Sequence, residues 1–227
     1  MNGIRSALTT RGIRRLCHFT PSRNLAHILT GTQGILATKH LAAEERSVLN
    51  ATDLVRYDGH TGHICCSIEY PNAWYFRKAR KGELLFRDWV VLLLSAELML
   101  LPGVKFCPRN AAAGRGVHLK EGVDGLDALY APTVVGANNR TYKRTPGRSK
   151  AIPTDEQAEV LIPDSIPLAA IVGVAVASED QAKLEIERLR ILGVEPPPFF
   201  IAPLFFDADG LSKAIKNGNV PPEVPAK

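Results

Sequence analysis

Six consecutive apolar residues, Trp89-Val90-Val91-Leu92-Leu93-Leu94, stand between Asp88 and Ser95. An apolar run without alternation is the pattern of a strand buried on both faces. Whatever this chain folds into must therefore place a layer on either side of that strand. The apolar character continues to Leu101 only with Ser95 and Glu97 interposed, too short and too interrupted to cross a bilayer. With 227 residues, 45% apolar and 22% charged, the chain has enough material for one domain with a sizeable core. No membrane partner is expected, and no apolar signal segment opens the chain, so the cytoplasm is the expected compartment.

The other elements are short. Arg14 to Phe19 reads as a first strand, ended by Thr20-Pro21-Ser22. Ser22 is placed to cap a helix over Arg23 to Thr30, with Leu25, Ile28 and Leu29 as its apolar stripe and Gly31 and Gly34 as its stop. A second helix is expected over His40 to Leu49, then a polar loop over Asp53 to His63. Ile64 to Tyr70 reads as a strand, Ala73 to Arg80 as a helix, and Val104 to Cys107 as a short strand after Pro102-Gly103. Ser95 caps a turn through Leu100. Later, Ala158 to Ile162 and Ile171 to Ala177 read as strands. Ser178-Glu179-Asp180-Gln181 is a capping box opening a helix to Leu192, with Ala182, Leu184, Ile186, Leu189 and Ile191 apolar and Gly193 closing it. A last strand is expected over Phe199 to Phe206. Residues 1–12 read as a flexible leader and 218–227 as a frayed tail.

Strands separated by irregular connections do not make a regular βαβ alternation. Neither G-x-G-x-x-G after the first strand nor G-x-x-x-x-G-K-[ST] occurs, which disfavours Rossmann and P-loop sites. An α+β fold fits best.

Residues 108–153 differ from the rest: they are rich in Gly, Asn, Arg and Thr, and a connection this long inside a domain is usually functional or disordered. Within them Asp124 to Tyr130 has the pattern of a helical turn. Arg140, Lys143, Arg144, Arg148 and Lys150 follow without an acidic residue between Asn138 and Lys150. Such a cluster suits an anionic polymer, and Tyr130 and Tyr142 are aromatic surfaces for stacking on bases. An ordinary flexible basic loop fits the same residues. The net charge of +5 and pI near 9.1 permit polyanion binding without requiring it.

Two segments carry candidate chemistry. In Cys17-His18-Phe19-Thr20, His18 and Thr20 share one strand face and can hydrogen-bond an amide, a ribose or a phosphate; a core histidine bonded to backbone fits equally. In Thr154-Asp155-Glu156-Gln157-Ala158-Glu159-Val160-Leu161-Ile162-Pro163, Glu159 stands at the lip of an apolar strand, a costly position unless paired. It can grip a ribose hydroxyl and stabilise positive charge on the adjacent carbon, or be a strand-end surface carboxylate. Arg56, beside Asp58 in the polar loop, is either a pyrophosphate clamp or a solvated charge. Asn110 and Arg115 flank Ala111-Ala112-Ala113-Gly114, small residues that allow close approach. The four cysteines have no C-x-x-C spacing and no histidine completes a zinc pattern, so buried free thiols are expected and no metal site. Neither paired carboxylates for glycoside hydrolysis nor G-x-S-x-G is found.

The order of these motifs resembles the DarT-type DNA ADP-ribosyltransferases. Cys17-His18-Phe19-Thr20 leads into Asn24-Leu25 and Ile28-Leu29, followed by Arg56-Tyr57-Asp58-Gly59, His63-Ile64-Cys65-Cys66-Ser67-Ile68, Tyr70-Pro71-Asn72 and Gln157-Ala158-Glu159-Val160-Leu161. The resemblance covers roughly residues 14 to 177. It implies an ADP-ribosyltransferase-like fold, with two small mixed or antiparallel sheets around an NAD cleft and flanking helices. It implies a toxin that modifies a base of single-stranded DNA, paired with a macrodomain (DarG-type) antitoxin. By position, His18, Thr20 and Asn24 would hold NAD, Arg56 would contact its phosphates and help activate the base, and Glu159 would be the catalytic glutamate. The 108–153 segment would bind substrate.

The segment His63 to Asn72 is closer to the guanosine-modifying branch than to the thymidine-modifying one, so guanine is the expected base. Gln157-x-Glu159 also resembles protein-modifying relatives, which leaves a protein mono-ADP-ribosyltransferase as an alternative. A non-catalytic basic nucleic-acid-binding module is a second alternative. An RNA 2′-phosphotransferase shares the fold and NAD use, but its phosphate-binding residues find no counterpart here.

Overall fold

The computed structural model describes residues 2–41, 57–83 and 87–226. In chain order the elements are α1 (Asn2–Arg11), β1 (Arg15–Pro21), α2 (Ser22–Thr30), β2 (Ile35–Leu36), β3 (His63–Ile68), α3 (Ala73–Gly82), β4 (Trp89–Ser95), β5 (Lys105–Cys107), β6 (Lys120–Glu121) and α4 (Gly122–Ala128). There follow β7 (Thr133–Val135), β8 (Thr141–Lys143), β9 (Glu159–Pro163), β10 (Ser165–Ile166), β11 (Ile171–Val176), α5 (Glu179–Ile191), β12 (Phe199–Ile201), α6 (Ala208–Lys216) and β13 (Val224–Pro225). Nine strands pair in the order β13-β12-β11-β4-β1-β3-β9-β5-β6, with β2–β10 and β7–β8 as separate pairs. This is the α+β ADP-ribosyltransferase-like architecture expected from the motifs.

The apolar run becomes β4, between β1 and β11. Its alternate residues feed two cores. Val90, Leu92 and Leu94 join Leu16, Leu25, Val174, Ala182 and Leu189, beneath α2 and α5. Val91 and Leu93 join Phe76, Phe205, Leu211 and Ile215, beneath α3 and α6. The strand is thus covered on both faces, as its composition requires.

The sheet is held weakly at one joint. β1 pairs with β4 along its whole length, Arg15 to Pro21. With β3 it shares only Leu16↔Ile68 and Cys17↔Ser67. The earlier residues of β3, His63 to Cys66, pair instead with β9. Two half-sheets, β13-β12-β11-β4-β1 and β3-β9-β5-β6, therefore diverge past Cys17 and open a cleft. Glu69 fastens the closed end. It is 2% exposed and sits at φ +64°, and its carboxylate accepts from Arg14 N, Nε and Nη2. Its carbonyl accepts from Arg15 Nε (2.9 Å) and Cys17 Sγ (3.4 Å). Below the joint, β2 crosses to β10, and Gly34 is obligatory there: its φ is +73° and a Cβ would stand 2.2 Å from the Ile166 carbonyl oxygen.

Several expectations need correction. Residues 2–11 form α1, not a leader. Leu8 is buried, and Arg5 and Arg11 pair with Glu97 and Asp127. The 218–227 tail is tied down by β13 against β12 and by a two-pronged Arg15–Glu223 pair at 2.6 Å. Ser22 does not cap α2. Strand β1 runs straight into the helix, so the Ser22 N–H bonds the Asp88 carbonyl and its hydroxyl donates to buried Glu185. Leu184 and Ile191 of α5 are exposed while Glu185 is buried, because Ser22 and Arg188 supply the donors its carboxylate needs. The expected strand through Phe206 ends at Ile201, where Pro203 turns the chain into a 3₁₀ helix. Residues 38–40 are 3₁₀, and the rest of the expected helix to Leu49 lies outside the described residues.

The 108–153 segment is folded, with β5 and α4 at one end and the β7–β8 hairpin at the other. Beneath that hairpin lies a buried ionic group. Asp155 is 1% exposed, its Oδ1 accepting from Gln157 N. Arg148 faces Glu156 at 3.8 Å. Burial pushes the Asp155 carboxyl up to about 6, against a partial offset from Arg148 and Arg109.

Two stability outcomes follow. Glu69→Ala strands the Arg14 N–H and unfastens the joint, and should cost about 3 kcal/mol in chemical denaturation, against under about 0.5 kcal/mol for exposed Leu184→Ala. The raised Asp155 carboxyl means that between about pH 4 and 6 the folded state holds a proton the unfolded state lacks. Stability from this group is thus lost as pH rises through that window. Asp155→Asn should therefore be more stable than the parent at pH 8, by about 2–3 kcal/mol, with the gain shrinking toward pH 4.

Candidate active site

The cleft between the half-sheets holds a cavity of about 180 Å³, lined by His18, Thr20, Asn24, Asn72, Asn110 and Glu159 among others. Its residues come from β1, α2, the start of α3, the turn after β5, and β9. Past Cys17 the ladder between β1 and β3 stops, and His18 takes over the connection: Nδ1 lies 2.9 Å from the Cys65 carbonyl oxygen. A carbonyl only accepts, so Nδ1 carries the proton, and that bond sets the plane of the ring inside the cleft.

Thr20 and Asn24 stand one helical turn apart. Asn24 Nδ2 donates to Thr20 Oγ1 at 2.9 Å, and both residues are buried. Asn24 Oδ1 has no hydrogen-bond partner among the described residues. Across the cavity, Asn72 caps α3 by accepting from Tyr75 N, while its Nδ2 is buried without a partner among the described residues. Buried polar atoms are nearly always paired. One acceptor and one donor left over at a single cavity fit a ligand that carries both, as a carboxamide or a ribose does. Phe19, stacked on Phe76 at 4.5 Å, forms an aromatic wall beside them.

Glu159 opens β9 opposite Cys107 of β5 and is 7% exposed. Asn110 Nδ2 donates to Oε1 at 3.0 Å and the Ala111 N–H to Oε2 at 3.1 Å. The carboxylate's cost of burial is thus met by donors from one turn. Asn110 and Asn72 are the cleft residues the sequence reading did not assign. The Asn-Ala-Trp-Tyr start of a basic helix was a legible capping signal for Asn72, whereas the Asn110–Glu159 bond depends on the β5–β9 register. Cys17, Cys65 and Cys66 also line the cavity, and all four cysteines are free. Burial pushes the Cys17 and Cys107 thiols up to about 12 and Cys66 upward as well, so these three are not thiolate nucleophiles.

Arg56 lies outside the described residues. Asp58, two positions on, is buried and lines the cavity. The basic segment divides. Arg140, Lys143 and Lys150 are exposed, and Arg140 lies over the half-buried Tyr142 ring at 5.5 Å. Gly136 makes that hairpin possible, since a Cβ there would meet Tyr142 at 2.4 Å and Asp155 at 2.7 Å. Arg144 instead donates to the carbonyls of Ile152 and Ser149. Arg148 is buried against Glu156. Tyr130 is 6% exposed, donates to the Ala151 carbonyl, and lies between Arg11 and Arg144. Tyr130 and Arg148 are thus corrected from candidate DNA contacts to interior supports of the segment: their apolar and ionic surfaces are consumed by the fold. Among the described residues no group of three or more His, Cys, Asp or Glu could hold a metal, and no helix is long and apolar enough to cross a membrane.

The chain is similar to Thermus sp. 2.9 DarT in complex with NAD+ (18% identity, TM-score 0.57, 85% of this chain and 97% of that one). It is similar to the same protein in complex with ADP-ribosylated ssDNA (16%, TM-score 0.58, 86% and 97%). It is also similar to Thermosipho africanus DarTG in complex with ADP-ribose (15%, TM-score 0.55, 85% and 51%). Among curated proteins no sequence matches significantly. The family model described as "ssDNA thymidine ADP-ribosyltransferase, DarT" matches residues 17–207. That match overturns the expected guanosine-modifying branch; the segment His63 to Asn72, on which guanine was read, contributes β3 to the joint and several residues to the cleft wall. A split sheet with Glu159 and His18 facing one cleft, and a family match spanning most of the sequence, lead to one conclusion: the chain belongs to the DarT family of ssDNA thymidine ADP-ribosyltransferases.

Proposed function

We propose that the protein is a toxin that transfers ADP-ribose from NAD to the thymine base of single-stranded DNA. The observation that carries this reading is the Glu159 carboxylate, buried at the cleft near polar atoms that have no partner among the described residues, with Asn110 and the Ala111 N–H donating to its two oxygens. NAD supplies the ADP-ribosyl group, with nicotinamide as the leaving group. The residues of the cleft fit it: Asn24 Oδ1 and Asn72 Nδ2 offer the acceptor and donor that an amide or ribose needs.

His18, Thr20 and Asn24 hold the cofactor at the diverging end of β1 and the first turn of α2. Glu159 accepts from a ribose hydroxyl and stabilises the positive charge that develops as the glycosidic bond breaks. A ring nitrogen of thymine attacks the ribose carbon and releases its proton. Arg56 contacts the NAD phosphates and assists activation of the base. The base must leave its stack to enter the cleft, which favours single strands. The 108–153 segment of this one catalytic unit presents Arg140, Tyr142, Lys143 and Lys150 to the DNA strand, with the exposed cations taking phosphates and Tyr142 stacking on a base. Arg144 braces that surface from within.

Family membership favours DNA over a protein target, and a clamped carboxylate in a cleft has no purpose in a pure binding module. The partner proposed is a macrodomain antitoxin that removes the modification, with both acting in the cytoplasm.

Purified protein incubated with labelled NAD and four single-stranded oligonucleotides, each lacking one base, should lose label transfer only when thymine is missing. Glu159→Gln should lower transfer by about 100-fold or more. Transfer that needs a different base, or that survives in Glu159→Gln, overturns the reading. In Arg140→Ala/Lys143→Ala the KM for DNA should rise while that for NAD holds. The salt dependence of DNA binding should flatten by up to about 1.4 in log–log slope, about 0.7 for each lost phosphate contact.

A further inference from the structure

Asn110 makes two bonds of different kinds. Its Nδ2 donates to Glu159 Oε1 at 3.0 Å, and its Oδ1 accepts from Ala113 N at 3.2 Å, inside the 3₁₀ turn Ala112–Gly114. The next residue, Ala111, is 1% exposed and gives its N–H to Glu159 Oε2. One planar amide therefore spans from the carboxylate to the turn that opens the 108–153 segment. The β5–β9 register makes this possible, since Cys107↔Glu159 brings the chain past Cys107 alongside the start of β9. Asn110 also lines the cavity shared by His18, Asn24 and Glu159.

A glutamate side chain has three rotatable torsions, and one held at a single backbone bond could still swing about its terminal torsion. Donors on both oxygens, coming from one turn, fix the plane of the carboxylate. A carboxylate oxygen can accept more than one donor, so the clamp is compatible with gripping a hydroxyl. A displacement of about 1 Å at such a group costs on the order of 100-fold in rate.

We propose that Asn110 is a positioning residue for ADP-ribosyl transfer, acting through its amide N–H on Glu159 and thereby coupling the carboxylate's orientation to the seating of the 110–114 turn. This rests on the reading of Glu159 as the catalytic carboxylate. The two bonds of Asn110 can be separated by substitution. Aspartate keeps the acceptor for Ala113 N and removes the donor to Glu159, placing a like charge there instead. Serine also caps the turn but is too short to reach the carboxylate.

The experiment measures DNA modification kinetics and thermal unfolding for Asn110→Asp, Asn110→Ser and Glu159→Gln. Expected is a fall in kcat per folded protein of about 10- to 100-fold in both Asn110 variants, with KM for NAD within about twofold of the parent. Asn110→Asp should be the slower of the two. If both variants keep kcat within about twofold while Glu159→Gln is silent, Asn110 merely caps the turn and the proposal is overturned, with the Glu159 reading intact. If kcat falls only in proportion to a loss of folded protein, the role is structural and the proposal is again overturned. Parent-level activity in Glu159→Gln overturns the catalytic reading and this proposal together.

Discussion

The β1–β3 joint is the constraint on which the site depends. A sheet that paired normally along these strands would have no cleft. Here two residue pairs hold, and beyond them β1 stays with β4 while β3 stays with β9. Such a short ladder is weak by itself, so the fold reinforces it from behind with Glu69, whose carboxylate and carbonyl together engage Arg14, Arg15 and Cys17. From the front, His18 replaces the missing ladder bond with a side-chain bond to Cys65. The same residue that keeps the strands from drifting further apart therefore also lines the cavity. A left-handed backbone at a buried glutamate is a locally costly arrangement, and the four arginine-donated bonds explain why it persists.

The second half of the site arises from the same geometry. Because β3 follows β9, the start of β9 projects Glu159 across the cleft from β1. A carboxylate there would be intolerable without donors, and β5 brings them by carrying the 110–114 turn alongside. The beginning of the 108–153 segment is thus fastened to the Glu159 carboxylate, and its end is fastened by Arg144, Tyr130 and the Arg148–Glu156 pair. Between these anchors the β7–β8 hairpin carries the exposed cations. A basic segment of this composition free in solution would spend binding energy on ordering itself. Anchoring at both ends places Arg140 and Lys143 on a formed hairpin without any ligand.

What could be read from the residues follows from which forces are local. The doubly buried strand β4 was legible because six apolar residues in a row have few other uses. Strand β1, the α5 cap at Ser178, and the Glu159 strand were legible for similar reasons. Helix α1 was not, because its packing rests on Leu8 and on ion pairs to Glu97 and Asp127, far away in the chain. The α5 stripe was misread at Leu184, Glu185 and Ile191, because periodicity assigns burial by polarity and cannot foresee that Ser22 and Arg188 will satisfy a buried glutamate. Among the site residues, His18, Thr20, Asn24 and Glu159 do converge on one cavity. Tyr130 and Arg148 show the opposite case: composition marks a residue as suited to nucleic acid, but only the tertiary fold determines whether its surface is left over.

The error over the base has the same origin. Guanine was inferred from a segment, His63 to Asn72, that has structural duties: pairing with β9 and β1, receiving the Asn72 N–H on the Ser67 hydroxyl, and capping α3. Base identity must be read by groups that reach the edge of an extruded base. The strand motifs are not such groups by themselves, and the 108–153 segment takes its positions from its anchors at Glu159 and Ile152, not from any local pattern. A motif comparison along the strands could therefore find the family and still choose the wrong branch.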